Sequence, residues 1–309
     1  MKPNYLITII GPTAIGKTAL SIKLAQHFGC EILSCDSRQF FKEMKIGTAV
    51  PNEEELLSAT HHFIQNKSIF ENYSVGDFET EALTKLDELF AKNNIQIMVG
   101  GSGLYVDAVL KGFDEFPEID SKIRAEVNTK YDELGIDFLQ KTLQELDSTY
   151  YNKLLIENPQ TLQNPQRMKR FVEVCLGSGQ PYSSFIGIRK NQRDFTPIII
   201  GLEADREVMY ERINRRVEIM MEEGLLDEAK TLYPNKSLNA LQTVGYRELF
   251  DYFDGNTSLE FAVEEIKKNT RRFAKRQMTW FKRTEKATWF DFQTPVNQII
   301  EKINNLNNF

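Results

Sequence analysis

The sequence predicts an α/β fold, a parallel sheet flanked by helices, with an all-helical insertion domain. Three observations predict it. Short apolar runs alternate with amphipathic stretches through the first hundred residues, which is how a parallel sheet covered by helices reads. A glycine-rich loop separates the first apolar run from the first helix-like stretch. Between about residues 114 and 193 strand-like runs vanish, and polar helical stretches such as DFLQKTLQELD replace them. The core is therefore placed at 1–113 and 194–309, with 114–193 inserted into it.

Tyr5 to Ile10 (YLITII) reads as the first strand, because β-branched and aromatic residues suit a pleated surface, and Gly11 ends it. From Lys17 onward Leu20, Leu24 and Phe28 recur every four residues, one face of a helix. Glu31 to Cys35 (EILSC) and Ile95 to Val99 (IQIMV) are the next strands, the latter ended by Gly100-Gly101. Pro197 to Leu202 (PIIIGL) is the fourth, and the chain beyond it is mostly helical, through two long segments with clustered arginines.

The 309 residues carry 38 basic and 44 acidic side chains, a net charge of −6, with 41% hydrophobic and 27% charged residues. That balance excludes a disordered or fibrous chain. No apolar run approaches the roughly 20 residues of a membrane span, and MKPNYLITIIG lacks the features of a signal peptide. Cys30, Cys35 and Cys175 are too scattered for a disulfide framework or a zinc cluster. A reduced, cytoplasmic protein is expected. The acidic balance argues against indiscriminate nucleic-acid binding but leaves room for a local basic patch.

Gly11-Pro12-Thr13-Ala14-Ile15-Gly16-Lys17-Thr18 matches G-x-x-x-x-G-K-[ST]. The pattern arises by chance in roughly 1% of chains this long, and its place between a strand and a helix lowers the odds further. Glycines let backbone N–H groups converge on phosphate oxygens, and the helix N-terminus adds partial positive charge. Lys17 adds a full charge, and the Thr18 hydroxyl suits a Mg²⁺ ion. A bound di- or triphosphate is expected. The machinery of hydrolysis is missing: IQIMV ends in Gly100-Gly101-Ser102 rather than an Asp, and Asn66-Lys67 and Asn235-Lys236 are each followed by Ser. Asp132 to Gly135 forms an Asp-x-x-Gly, but in the helical region.

After the second strand comes Asp36-Ser37-Arg38-Gln39. A carboxylate at the carboxyl end of a parallel strand faces the ligand crevice, so Asp36 reads as a general base or, equally, as a cap of the following turn. Gln39 is a candidate reader of an adenine edge, since its amide both donates and accepts.

GPTAIGKT, DSRQFFKEMKIGTAVP, HHFI with ENYSVGDF, VGGSGLY, NPQRMKRFVEV, VGYRELF and RRFAKRQMTWFKR occur in one order along the chain. This series resembles the tRNA dimethylallyltransferases, or tRNA isopentenyltransferases, from about Tyr5 to Trp289; residues beyond Phe292 add nothing to it. Ser102 stands where the family usually has Thr and keeps its hydroxyl, whereas Phe41 stands for Tyr and loses one. No cysteine follows Cys175, so the C-terminal zinc finger of eukaryotic relatives is expected to be absent.

The resemblance implies a P-loop NTPase-like core and the transfer of a dimethylallyl group from dimethylallyl diphosphate to the exocyclic amine of the adenosine directly 3′ of the tRNA anticodon. The loop then holds a leaving diphosphate, and no water needs activating. It implies Asp36 as base, Ser102 as orienting hydroxyl, Lys17 and Arg216 on the diphosphate with Mg²⁺ at Thr18, and tRNA contacts from Asp36, Ser37, Arg38, Gln39, Ser102, Arg124, Gln166, Arg167, Met168, Lys169 and Arg170. Arg216 lies four residues after Arg212 and so on the same helical face. Asn164-Pro165 reads as cap and first turn of a helix burying Met168, Phe171, Val172, Cys175 and Leu176, with Gln166, Arg167, Lys169 and Arg170 outward. Both Arg216 and the latter four read otherwise as solvated helix faces.

The target base must leave its stack to be reached, and single-stranded loops are where RNA sequence is read. Arg271, Arg272, Lys275, Arg276, Lys282 and Arg283 form the strongest basic cluster, suited to tRNA phosphates, with Phe273, Trp280 and Phe281 reading as core. His61-His62 is in no metal-ligand spacing and reads as structural. Partners are thus the tRNA anticodon stem-loop and dimethylallyl diphosphate, with no membrane, for a monomer. A small-molecule kinase would bind ATP tightly and leave Asp36 to Gln39 without an adenine to read. A nucleotide-dependent RNA-binding switch would tolerate Asp36→Ala.

Overall fold

The structure, a computed structural model, describes residues 3–187, 193–284 and 286–307. The chain divides into two compact units, Met1–Lys111 with Arg193–Phe309, and Gly112–Gln192. Arg193 sits with the first unit for a physical reason. Its side chain is 10% exposed, pairs with Glu79 at 2.7 Å, and donates to the carbonyls of Ala108 and Val109.

The first unit is built on a six-stranded parallel sheet. Its strands are β1 (Tyr5–Ile10), β2 (Ile32–Ser34), β3 (His61–His62), β4 (Ile95–Val99), β5 (Thr196–Glu203) and β6 (Thr288–Asp291), in the spatial order β3-β2-β4-β1-β5-β6. The expected strand at Glu31 to Cys35 is shorter by a residue at each end, and the fourth is longer by one. Neither His61–His62 nor Thr288–Asp291 was expected as a strand, because both are short sheet-edge pieces without apolar alternation.

Alternation along the strands sends side chains to two cores. Leu6, Ile10, Leu33 and Met98 face one side, packed by Phe78, Ala82 and Leu86 of α3 (Val75–Phe90) and by Val106 and Val109 of α4 (Gly103–Lys111). Ile7, Ile9, Ile32, Ile97 and Ile200 face the other, under Leu20 and Leu24 of α1 (Lys17–Phe28) and Ile299 and Ile303 of α12 (Val296–Asn307). The residues beyond Phe292 therefore close one face of the sheet. A third core joins α8 (Arg206–Glu222), α9 (Leu225–Leu232), α10 (Tyr246–Phe253) and α11 (Leu259–Phe281). Phe41 is buried in it, so the ring that stands for the usual Tyr is a packing residue.

The second unit contains α5 (Ser121–Leu146), α6 (Ser148–Glu157) and α7 (Pro165–Ser178), with no strand among its described residues. Gly135 interrupts α5 at φ 73°, so the Asp132-to-Gly135 tetrapeptide is a helix break. Asn164 caps α7 by accepting the Arg167 N–H, ahead of Pro165. The buried face of α7 differs from expectation at two positions. Leu176 is 44% exposed, while Val174 is buried. Among the described residues no helix is long and apolar enough to cross a membrane.

Ile303 has no exposed surface. Ile303→Ala should lower stability by about 2–5 kcal/mol, read as a shift of the urea midpoint. An unchanged midpoint would mean that α12 lies outside the cooperative core.

Candidate active site

In a parallel sheet all strands end at one edge, so the segments after β1, β2 and β4 meet in the crevice where such folds bind ligands. After β1 the chain turns through Gly11 at φ 147°, where a Cβ would stand 2.6 Å from the Leu202 carbonyl oxygen. Ala14 at φ 64° and Gly16 at φ 108° complete the loop into α1. The Pro12, Ala14 and Ile15 side chains are buried, Ile15 against the sheet and Ala14 against Met209, Ile213 and Ala274. Arg212 donates to the Ala14 carbonyl at 2.9 Å. This packing leaves the backbone amides from Ala14 to Thr18 without hydrogen-bond partners among the described residues, a nest of donors at a helix N-terminus. The Thr13 amide is different: it donates to Oε1 of Gln277 at 2.9 Å and so stands outside that nest.

Lys17 donates to the Pro12 carbonyl at 2.8 Å. Burial pulls its ammonium down to about 8; Asp36 opposes that shift and Arg216 adds to it. Arg216, from α8, has no hydrogen-bond or ion-pair partner among the described residues, and burial with the nearby Arg212 lowers its pKa against the pull of Glu55 and Asp36. Asp36 follows β2, and its Oδ1 accepts the Arg38 N–H at 3.1 Å. The turn-capping reading thus accounts for one oxygen, and Oδ2 makes no hydrogen bond among the described residues. Ser102 accepts the Ser37 N–H and donates to the Ser37 hydroxyl, both at 3.0 Å, tying the turn after β2 to the N-terminus of α4.

Two expected tRNA contacts, Gln39 as a base reader and Arg38, are otherwise engaged. Gln39 donates both amide hydrogens to the carbonyls of Thr48 and Ala49 and accepts from Ser34, which leaves no donor for an adenine edge. Arg38 donates to the carbonyls of Asn239 and Ala240. Sequence reasoning missed the partner of Gln39 in shaping that wall: Glu228 accepts the N–H groups of Lys45, Ile46 and Gly47 and the Tyr246 hydroxyl.

Asp36, Thr13, Gly101 and Arg216 line two cavities at once. One, of about 990 Å³, surrounds the loop and holds Lys17, Thr18 and Glu53 to Glu55. The other, of about 390 Å³, is walled by Val217, Met220, Val244, Ile266, Phe273 and Trp280. Phe273 and Trp280, expected in the core, are thus cavity walls; only Phe281 is fully buried. Of the basic cluster, Arg272, Lys275 and Arg276 are exposed on α11 and Arg271 is held by Asn214, while Lys282 and Arg283 lie past the helix end, Lys282 paired with Glu203. His61 and His62 turn to separate partners, the Ala59 carbonyl and Glu31.

The second unit holds the remaining candidates. Gln166, Arg167 and Arg170 line a groove with Tyr150 and Tyr182. Lys169 donates to Asn128 and lies over the Tyr131 ring, and Arg170 over Phe116. Arg124 is half exposed, 3.9 Å from Glu173. Met168 has no exposed surface, so its side chain is core and the expected tRNA contact through it is corrected.

The sequence profile described as IPP transferase matches residues 39–285. A tRNA dimethylallyltransferase of Flavobacterium johnsoniae is 73% identical over 300 residues, 97% of each chain. One of Bacteroides fragilis is 44% identical over 290 residues, 94% of each. Among solved structures, the full-length tRNA isopentenylpyrophosphate transferase of Bacillus halodurans superposes with a TM-score of 0.71 at 36% identity, covering 99% of this chain and 95% of that one. A eukaryotic dimethylallyltransferase acting on tRNA gives a TM-score of 0.81 at 25% identity, covering 99% and 80%. The crevice, the glycine-rich loop and the sheet order thus sit in a P-loop NTPase-like fold, and the chain belongs to the IPP transferase family of tRNA dimethylallyltransferases.

Proposed function

We propose that this enzyme transfers a dimethylallyl group from dimethylallyl diphosphate to N6 of the adenosine 3′-adjacent to the anticodon in tRNA, releasing diphosphate. One observation carries the reading. Asp36, one of whose carboxylate oxygens makes no hydrogen bond among the described residues, lines both the cavity around the loop, together with Lys17 and Arg216, and the apolar one. In the transfer the bond from the allylic carbon to the diphosphate oxygen breaks, the bond from that carbon to N6 forms, and Asp36 takes the N6 proton. Lys17, the amides from Ala14 to Thr18 and Arg216 stabilise the charge that develops on the leaving group. The apolar walls suit the allyl chain and a flipped-out base, whose unstacking costs a few kcal/mol.

Thr18 lines the loop cavity and its hydroxyl has no hydrogen-bond partner among the described residues, among which no cluster of three His, Cys, Asp or Glu makes a protein cage. That donor set fits Mg²⁺, which keeps waters and substrate phosphates as ligands. When bound, the ion would neutralise part of the diphosphate charge. On the tRNA side, Arg124, Gln166, Arg167, Lys169 and Arg170 meet the anticodon stem-loop, and the α11 cations its phosphates. We place this activity in the cytoplasm, in a monomer.

The direct test incubates the protein with Mg²⁺, labelled dimethylallyl diphosphate and undermodified tRNA, followed by nucleoside mass spectrometry. A prenylated adenosine beside the anticodon is expected, with Asp36→Ala slower by about 10²–10⁴-fold and tRNA binding retained. Turnover of ATP with every tRNA unmodified would favour a kinase instead; full activity of Asp36→Ala would remove the base.

Lys17 provides a second test. Its free-site value of about 8 must rise when an anion binds, so binding takes up a proton above that pH. Diphosphate affinity relative to Lys17→Arg, whose guanidinium stays charged, should fall as pH rises through about 8, by up to tenfold per unit. Calorimetry in buffers of different ionisation enthalpy reads the uptake. A ratio independent of pH would show that Lys17 is already fully charged in the free enzyme.

A further inference from the structure

Helix α11 places one polar side chain on its buried stripe. Ile266, Ala274 and Phe281 are buried along that face, and Gln277, 6% exposed, lies between the last two. Its amide is used at both ends. Oε1 accepts the Thr13 N–H at 2.9 Å, and Nε2 donates to the Gly101 carbonyl at 2.8 Å. The partners admit one orientation only, because a flipped amide would set N–H against N–H and oxygen against oxygen. The packing has no slack: a Cβ on Gly101 would stand 2.4 Å from Gln277 Nε2 and 3.8 Å from Asp36 Oδ2. One turn further, Trp280 donates to Asp107 at 2.9 Å and lies where a Gly103 side chain would be.

We propose that Gln277 is a positioning residue for the transfer step, its amide setting the spacing between the diphosphate-holding loop and the Gly101 segment packed on Asp36. This rests on the reaction proposed above. Thr13 and Gly101 line both cavities, one on the leaving-group side and one beside the base, and Gln277 is the side chain that hydrogen-bonds both. A displacement of about 1 Å between reacting groups can cost on the order of 10² in rate. Gln277 therefore acts on the rate constant of transfer rather than on the binding of either substrate, whose charged contacts lie elsewhere.

Two variants separate this role from bulk stability. Gln277→Leu removes both hydrogen bonds. Gln277→Glu keeps an acceptor for Thr13 but sets a carboxylate against the Gly101 carbonyl, and protonation of that carboxylate restores a donor. In single-turnover transfer to tRNA, Gln277→Leu should lose about 100-fold in rate, with dimethylallyl diphosphate KM and tRNA Kd little changed. Any pH response of the transfer step itself is common to both enzymes and cancels in their ratio. The ratio of Gln277→Glu to wild type should rise as the pH is lowered from about 8 to about 5. A ratio independent of pH, or a folded Gln277→Leu enzyme at wild-type rate, overturns the proposal. Wild-type protein that prenylates no tRNA overturns the reaction reading and this inference with it.

Discussion

The site depends on one constraint, the parallel adjacency of β2, β4 and β1. Parallel pairing brings the carboxyl ends of these strands to one edge, and each delivers a different chemical part there. β1 delivers amide donors, β2 a carboxylate, and β4 a glycine pair followed by Ser102. Gly100 shows how tight the meeting is, since a Cβ there would stand 2.2 Å from the Cys35 carbonyl oxygen. The glycines after β4 are therefore a condition for bringing Asp36 beside the loop, apart from any contact with substrate.

Electrostatics follow from that geometry. Lys17 and Arg216 are held together in a partly desolvated place, and burial lowers the pKa of both. Two cations without full compensation are costly in a free enzyme. They are suited to an anion, whose charge relieves that cost. Asp36 moderates the cost for both groups.

How much of this was legible in the sequence depended on whether the signal was local. The loop at 11–18 is contiguous, and its spacing is itself the geometry of an anion nest, so it could be read directly. The strands at Tyr5 and Ile95 announced themselves as apolar runs, while His61–His62 and Thr288–Asp291 did not, being short edge pieces held by pairing with longer neighbours. At Gln39 the sequence does not distinguish an amide that faces a base from one that faces a carbonyl of its own chain. The engagement of Gln39 with Thr48 and Ala49 is set by the fold of a loop ten residues away. Met168 lies within a basic segment, and its helical spacing with Phe171, Val172 and Cys175 marks its side chain as core.

The residues that sequence reasoning missed are polar groups placed where their neighbours are apolar. Gln277 sits on the buried stripe of α11, and Glu228 points its carboxylate at three amides and a buried tyrosine. Gln277 lies within RRFAKRQMTWFKR, where the cations and aromatics draw the eye, and Glu228 lies in none of the motifs, yet each has a visible signature: a polar side chain at a position whose helical period calls for an aliphatic one. Such a residue is costly to bury unless every polar atom finds a partner. When the partners turn out to be loop backbone rather than other side chains, the residue is fixing where the loop lies. The walls of this crevice are accordingly held by side chains from α9 and α11, far along the chain from the loops they position, and the chemistry of the loops is inseparable from the packing of those helices.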